Sequence, residues 1–259
     1  MAPVKPLLRR LWLGVRRILE LVVPRGRLDA LLEKLGFFRF KSVFLRTRRV
    51  LPDGGELVYR LDEEKIVREV YEDDIYDRGE LSEGDTVVDV GANIGVFTLK
   101  AARQVPRGRV VAVEPAPLNL ELLRENVARN RLTNTEILDC AVSDREGEAR
   151  LFERGDYALY SLHFGSGRST PVRLATLDGL FQERGIRACR LLKIDVEGEE
   201  LAVLRGAGRA LQATDQVILE VSKVEDYPRR CRELLEAAGF SCTTYAESPG
   251  GLMLYARRT

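Results

Sequence analysis

Three carboxylates stand at the ends of apolar runs where a parallel sheet would place a ligand: Asp89, Glu114 and Asp195. The first belongs to DTVVDVGANIG, residues 85–95. Thr86, Val87, Val88 and Val90 make a short β-branched run that suits a strand buried on both faces. Gly91, Asn93 and Gly95 follow at once, and residues 94–103 read as an amphipathic helix. A strand turning through glycines into a helix N-terminus presents backbone N–H groups to an anionic or polar ligand. The missing side chains at Gly91 and Gly95 let the ligand, and the helix, approach the backbone. Glu114 closes the second strand, where a carboxylate accepts both ribose hydroxyls of a nucleoside.

Those features serve a dinucleotide and S-adenosylmethionine equally; the turn helps to choose. A dinucleotide fingerprint carries a middle glycine that admits the pyrophosphate, and this chain has Asn93 there. Asp89 precedes the turn, where a carboxylate repels a pyrophosphate but helps to orient an ammonium group. S-adenosylmethionine has an amine and a sulfonium and no phosphate, so the electrostatics favour it. The competing readings are a nucleotide-dependent oxidoreductase on the same fold and a non-catalytic subunit that binds S-adenosylmethionine.

The elements that position these groups alternate regularly. Strands are expected at residues 86–90, 109–113, 135–142, 189–196 and 216–221, with helices at 118–130, 177–184, 200–211 and 229–238. Short strands at 147–152 and 171–174 flank an irregular stretch holding Gly155, Gly165 and Gly167. Strands at 241–246 and 252–256 form a terminal hairpin. The pattern predicts an α/β, doubly wound, mostly parallel sheet with one antiparallel strand supplied by that hairpin. Before it, residues 37–80 read as a β-hairpin around Pro52, Asp53, Gly54 and Gly55, then a helix and loop that bring Tyr71 and Tyr76 toward the pocket. Residues 81–259 are the catalytic domain.

Residues 1–36 read as an N-terminal helical extension. Over residues 7–23, Leu8, Leu11, Trp12, Val15, Ile18, Leu19 and Val22 share one face, opposite Arg9, Arg10, Arg16 and Arg17. The arginines interrupt it too often for a membrane span, and no small-residue cleavage site follows. Such a helix packs on the core, mediates dimerisation, or lies on an anionic membrane surface.

Composition narrows the rest. Lys and Arg total 41 against 40 Asp and Glu, a net charge of +1, which gives no reason to expect a nucleic-acid partner. Cys140, Cys189, Cys231 and Cys242 have no metal-ligand spacing and read as reduced thiols of a cytoplasmic protein. With His163 the single histidine, no metal site and no Ser-His-Asp triad is assigned.

The chain resembles the FkbM-type methyltransferases, within the S-adenosylmethionine-dependent methyltransferases of class I, Rossmann-like fold. The matching pieces are DVGANIG (89–95), VEPAPLN (113–119), AVSD (141–144), ATLD (175–178), LKIDVEGEE (192–200) and ILE (218–220), in order across residues 71–240. The resemblance implies a seven-stranded sheet and O-methylation of a hydroxyl on a saccharide or secondary metabolite. By position it implies that Asp89, Gly91, Asn93, Ile94 and Gly95 cradle the methionine part of the cofactor, with Tyr76 nearby. Glu114 then takes the ribose, Pro115 and Asn119 border the adenosine, and Asp139, Cys140 and Ala141 lie near the adenine.

Methyl transfer asks for in-line positioning and a proton acceptor for the hydroxyl. Asp195 is the expected orienting carboxylate and base, with Glu197 and Lys193 shaping the site and Glu220 joining from the adjacent strand. His163, in the insertion where the family has a Ser-Leu pair, is a further candidate base through its tunable pKa. The acceptor is a small molecule or glycan, and the setting is cytoplasmic, with the N-terminal helix as the candidate peripheral contact at the inner membrane surface.

Overall fold

The computed structural model describes residues 46–60, 63–153, 160–162, 169–224, 226–247 and 251–259. The N-terminal extension expected over residues 1–36 and the candidate base His163 lie outside these residues.

Seven strands form the main sheet: β3 (Thr86–Val90), β4 (Arg109–Val113), β5 (Thr135–Leu138), β10 (Cys189–Ile194), β11 (Thr214–Ser222), β12 (Phe240–Glu247) and β13 (Gly251–Arg258). Their order is β12-β13-β11-β10-β3-β4-β5. Neighbours from β11 to β5 run parallel, and β13 is antiparallel to both β11 and β12. The terminal hairpin thus supplies the single antiparallel strand, and the strand order reverses between β3 and β10.

Alternation along the strands divides the core. Val88, Val90, Leu192, Ile194, Val217 and Leu219 face one apolar layer. Val87, Val110, Leu191 and Ile218 face the other, with α1 (Glu64–Tyr71) and α2 (Val96–Gln104). Because side chains alternate with period two, Asp89 shares the α2 side with Val87, and Lys193 shares it with Leu191. Residues 89 and 193 are also direct partners in the β3–β10 register.

Three expected elements come out differently. Residues 135–142 do not make one strand: β5 ends at Leu138, and β6 (Ala141–Val142) pairs with β9 (Ser169–Ala175) in a second sheet. That four-stranded sheet, β6-β9-β7-β8, contains the two expected short strands, as β7 (Gly147–Glu153) and β9, and adds β8 (Tyr160–Ser161) within the stretch between them, whose Gly155, Gly165 and Gly167 lie outside the described residues. The helix expected at 200–211 breaks into α5 (Glu200–Arg205) and α6 (Gly208–Gln212). At the break, Gly206 lies so near the 143–144 loop that a Cβ would stand 2.4 Å from the Ser143 carbonyl oxygen. Asp178 Oδ1 accepts from the N–H groups of Arg209 and Ala210 at 2.8 and 2.7 Å and so starts α6 afresh. Thr176 caps α4 (Leu177–Glu183) by accepting from Gly179 N. The ATLD stretch is therefore a pair of helix caps.

The hairpin of β1 (Arg46–Val50) and β2 (Glu56–Arg60) docks on α3 (Pro117–Arg129) and the residue after it. Asn126 accepts from Val58 N at 2.7 Å and donates to Val58 O at 3.0 Å. Asn130, one turn on, does the same with Glu56 at 2.9 and 2.7 Å. Two amides at i and i+4 meet alternate residues of an extended edge and occupy backbone groups that a neighbouring strand would otherwise take.

Candidate active site

Beyond the carboxyl ends of β3, β4 and β10 lies a cleft of about 670 Å³, open to solvent. Its lining includes Gly91, Asn93, Glu114, Pro115, Asn119, Cys140, Ala141, Asp195 and Glu197. Leu162, of the Ser-Leu position in the expected insertion, also lines it, and sequence reasoning missed Val90, Val113, Val142, Leu151, Val196 and Glu199, which complete the wall. Leu151 and Leu162 come from the second sheet; alternation marks Leu151 as inward-facing on a strand but does not say which sheet or surface it meets.

Gly91 has φ of 78°, and a Cβ there would lie 1.8 Å from the Asp195 carbonyl oxygen. Glycine is therefore required for the β3 and β10 loops to meet. The β10 strand stops at Ile194, so Asp195 and Glu197 belong to that loop, with Glu197 at φ 51°. Gly95 is left-handed at φ 91° and precedes α2; a Cβ would stand 2.6 Å from Leu123 Cδ1 on α3.

Glu114 is the organised end of the cleft. Its Oε2 accepts from Asn93 N at 2.7 Å, and its Oε1 from Ala116 N at 2.9 Å and Asn119 Nδ2 at 3.3 Å. Burial raises its pKa to about 7, while those donors and the Lys193 charge pull the other way. Asn93 Oδ1 is buried in the same loop without a hydrogen-bond partner.

Beneath the turn, Asp89 is 0% and Lys193 4% exposed. Lys193 Nζ lies 3.1 Å from Asp89 Oδ1, donates to Gly91 O at 2.8 Å and lies 3.7 Å from Asp195 Oδ2. Thr98 on α2 donates to Asp89 Oδ2 at 2.5 Å. Burial alone would lower the Lys193 pKa, but the carboxylates of Asp89 and Asp195 outweigh it and hold the ammonium charged. Asp89 thus fastens Lys193 under the turn instead of reaching a ligand directly.

The other end of the site gathers carboxylates around a phenol. Tyr76 OH donates toward Asp195 Oδ2 at 3.2 Å and Glu220 Oε2 at 3.3 Å. Burial and the two carboxylate charges push the Tyr76 pKa well up, so it stays a donor. Burial, then Asp195 and Glu197, raise Glu220 to about 7 against the pull of Lys193. Among the described residues no group of His, Cys, Asp or Glu is arranged to hold a metal ion.

Some expected contributors lie elsewhere. Ile94 packs in the apolar core beside α2. Asp139 is exposed and 3.3 Å from Arg124 Nη2. Tyr71 donates to Asp53 Oδ2 at 2.8 Å on the hairpin, away from the cleft. Cys140, Cys189 and Cys231 are buried and Cys242 is half-buried, all as free thiols.

Four carboxylates and no lysine or arginine line the cleft among the described residues. That lining disfavours a pyrophosphate and suits a cationic nucleoside. Asn93 Oδ1 has a lone pair for an ammonium, and Glu114 has capacity left for ribose hydroxyls. Sheet order and cleft together define a methyltransferase of Rossmann-like fold. The Methyltransferase FkbM domain matches residues 89–242. The 31-O-demethyl-FK506 methyltransferase FkbM of Streptomyces tacrolimicus is 33% identical, over 74% of this chain and 87% of its own. Methyltransferase sdnD of Sordaria araneosa is 28% identical over 72% and 85%. Hexuronic acid methyltransferase AglP of Haloferax volcanii is 32% identical over 62% and 66%. The chain belongs to the FkbM family of S-adenosylmethionine-dependent methyltransferases. Among the described residues no helix is long and apolar enough to cross a membrane.

Proposed function

We propose that this enzyme uses S-adenosylmethionine to methylate a hydroxyl of a saccharide or secondary metabolite. The observation that carries the reading is the Tyr76–Asp195–Glu220 cluster beside a cleft lined by acids. The cofactor supplies a methyl group already activated on a sulfonium. Glu114 and Asn93 hold its ribose and amine ends, with Pro115, Asn119, Cys140 and Ala141 along the adenosine. What remains for the protein is to orient the hydroxyl and accept its proton. Asp195 is suited to both: Tyr76 fixes one carboxylate oxygen, Lys193 Nζ lies 3.7 Å from that same oxygen, and the other oxygen is left for the hydroxyl. Glu220 stands behind it as the next proton site.

Two relatives are named for 31-O-demethyl-FK506 and for a hexuronic acid, which supports hydroxyl-bearing acceptors of either kind. The test is transfer of labelled methyl from S-adenosylmethionine to a panel of sugars, uronic acids and polyketides, with products located by mass spectrometry. Label on an ether oxygen of one acceptor is the expected result. Label found only on nitrogen or carbon across the panel overturns the proposal.

A further inference from the structure

The cofactor carboxylate is braced from outside the matched domain. Arg60, the last residue of β2, is 1% exposed, and Glu63 is 2% exposed. Arg60 Nη1 donates to Glu63 Oε1 at 2.5 Å, and Arg60 Nη2 donates to Leu118 O at 2.8 Å and Asn119 Oδ1 at 3.0 Å. Asn119 in turn donates from Nδ2 to Glu114 Oε1.

A guanidinium has only donors, so its contact with Asn119 decides which end of that amide faces which neighbour. With Oδ1 turned to Arg60, Nδ2 must face Glu114. The opposite orientation would set an amide oxygen against the carboxylate and a second donor against Arg60. Glu63 neutralises the buried guanidinium and leaves the amide orientation as its effect on the cleft.

We infer that Arg60 is a positioning residue for cofactor binding, which locks Asn119 so that Glu114 presents its free lone pairs to the ribose hydroxyls. The inference rests on the S-adenosylmethionine reading of the cleft. It gives the β1–β2 hairpin a part in ligand recognition: Asn126 and Asn130 hold it against α3, and Arg60 carries its position to the pocket.

The test is calorimetric titration of S-adenosylhomocysteine and its 2′-deoxyribose analogue into the full chain. The wild type should favour the ribose form by about tenfold, the effect of about one hydrogen bond to a charged group. Glu114→Ala should abolish that preference. Arg60→Met should reduce it to about threefold or less, and should change nothing further in an Asn119→Ala background. Arg60→Met/Glu63→Met, which removes both buried charges, should behave like Arg60→Met and serves if the single variant does not fold. A preference kept by the folded Arg60 variants overturns the inference, as does an effect that multiplies with that of Asn119→Ala. Should the wild type bind neither compound, the cofactor reading falls and the inference with it. If the wild type and Glu114→Ala behave as stated while the Arg60 variants match wild type, the inference alone fails.

Discussion

The two ends of the cleft are built on opposite principles. At Glu114, two backbone N–H groups and one side-chain amide, all donors, surround a single carboxylate. At Tyr76, one donor faces the carboxylates of Asp195 and Glu220, with Lys193 behind. The first is preorganised to bind an unchanging ribose. The second is buried and collects like charges, and the two together raise the Glu220 carboxyl to about 7, whereas at Glu114 burial acts against donors and the Lys193 charge. On the proposed reading, the Glu114 end is a fixed receptor for the cofactor, and the Tyr76 end is the reactive surface, with one buried lysine behind it.

Breaking the reactive end alone should have the largest effect. Asp195→Asn should lower kcat by roughly 10²- to 10⁴-fold, the span of general-base contributions. Its Kd for S-adenosylmethionine should stay within about threefold of wild type, a small difference on the affinity scale. Equal losses in both would mean that the two ends are not separable.

Lys193→Met acts on both ends at once. It strands Asp89, which is fully buried, and should destabilise the fold by about 3–5 kcal/mol in denaturant titration. An unchanged midpoint would show that the pair does not fasten the turn.

The titrating groups sharpen the contrast further. Burial raises Glu114, Glu200 and Glu220 to about 7 from an ordinary 4.5. Between those values the folded protein binds more protons than the unfolded chain. That stabilisation is fully present below about 4.5 and is lost as pH rises through about 7. The Tm should therefore fall across this window. Glu220→Gln should remove part of the slope, together with any limb near pH 7 in the kcat profile. A Tm that rises with pH between 5 and 7 would contradict the assignment of these carboxyls.

The smallest effect is expected at the hairpin. Asn130→Ala removes two bonds to Glu56, with one from Arg103 and one to Asn126 O, at a partly exposed site and should cost about 1–2 kcal/mol. Cofactor affinity should stay unchanged, because Arg60 is held separately by Glu63, Leu118 and Asn119, and Asn126 still fastens the strand at Val58.

The same contrast explains what could be read from residues alone. The cofactor end is local: a β-branched strand, a glycine turn and the carboxylate after the next strand are each set by a few neighbouring residues. The regular alternation of apolar strands with helices, and the terminal hairpin, were also enough for the mostly parallel sheet and its one reversed strand. Asp89 was legible as a site residue but not in its role, because only the β3–β10 register puts Lys193 opposite it. Tyr76 and Glu220 lie 144 positions apart, and no local pattern joins them. Two strands of the second sheet, at 147–152 and 171–174, were legible as β7 and β9; what escaped was β6, two residues long, which leaves the line of β5 to pair with β9. The break at Gly206 escaped because a contact with Ser143, not helix propensity, ends that helix.

One titration tests the central claim most directly. Calorimetry with S-adenosylmethionine and with NAD should give saturable one-to-one binding for the first and none for the second. Glu114→Ala should weaken the first by about ten- to a hundredfold through loss of charge-assisted hydrogen bonds to ribose. Binding of NAD in place of S-adenosylmethionine, or full affinity in Glu114→Ala, would contradict the account.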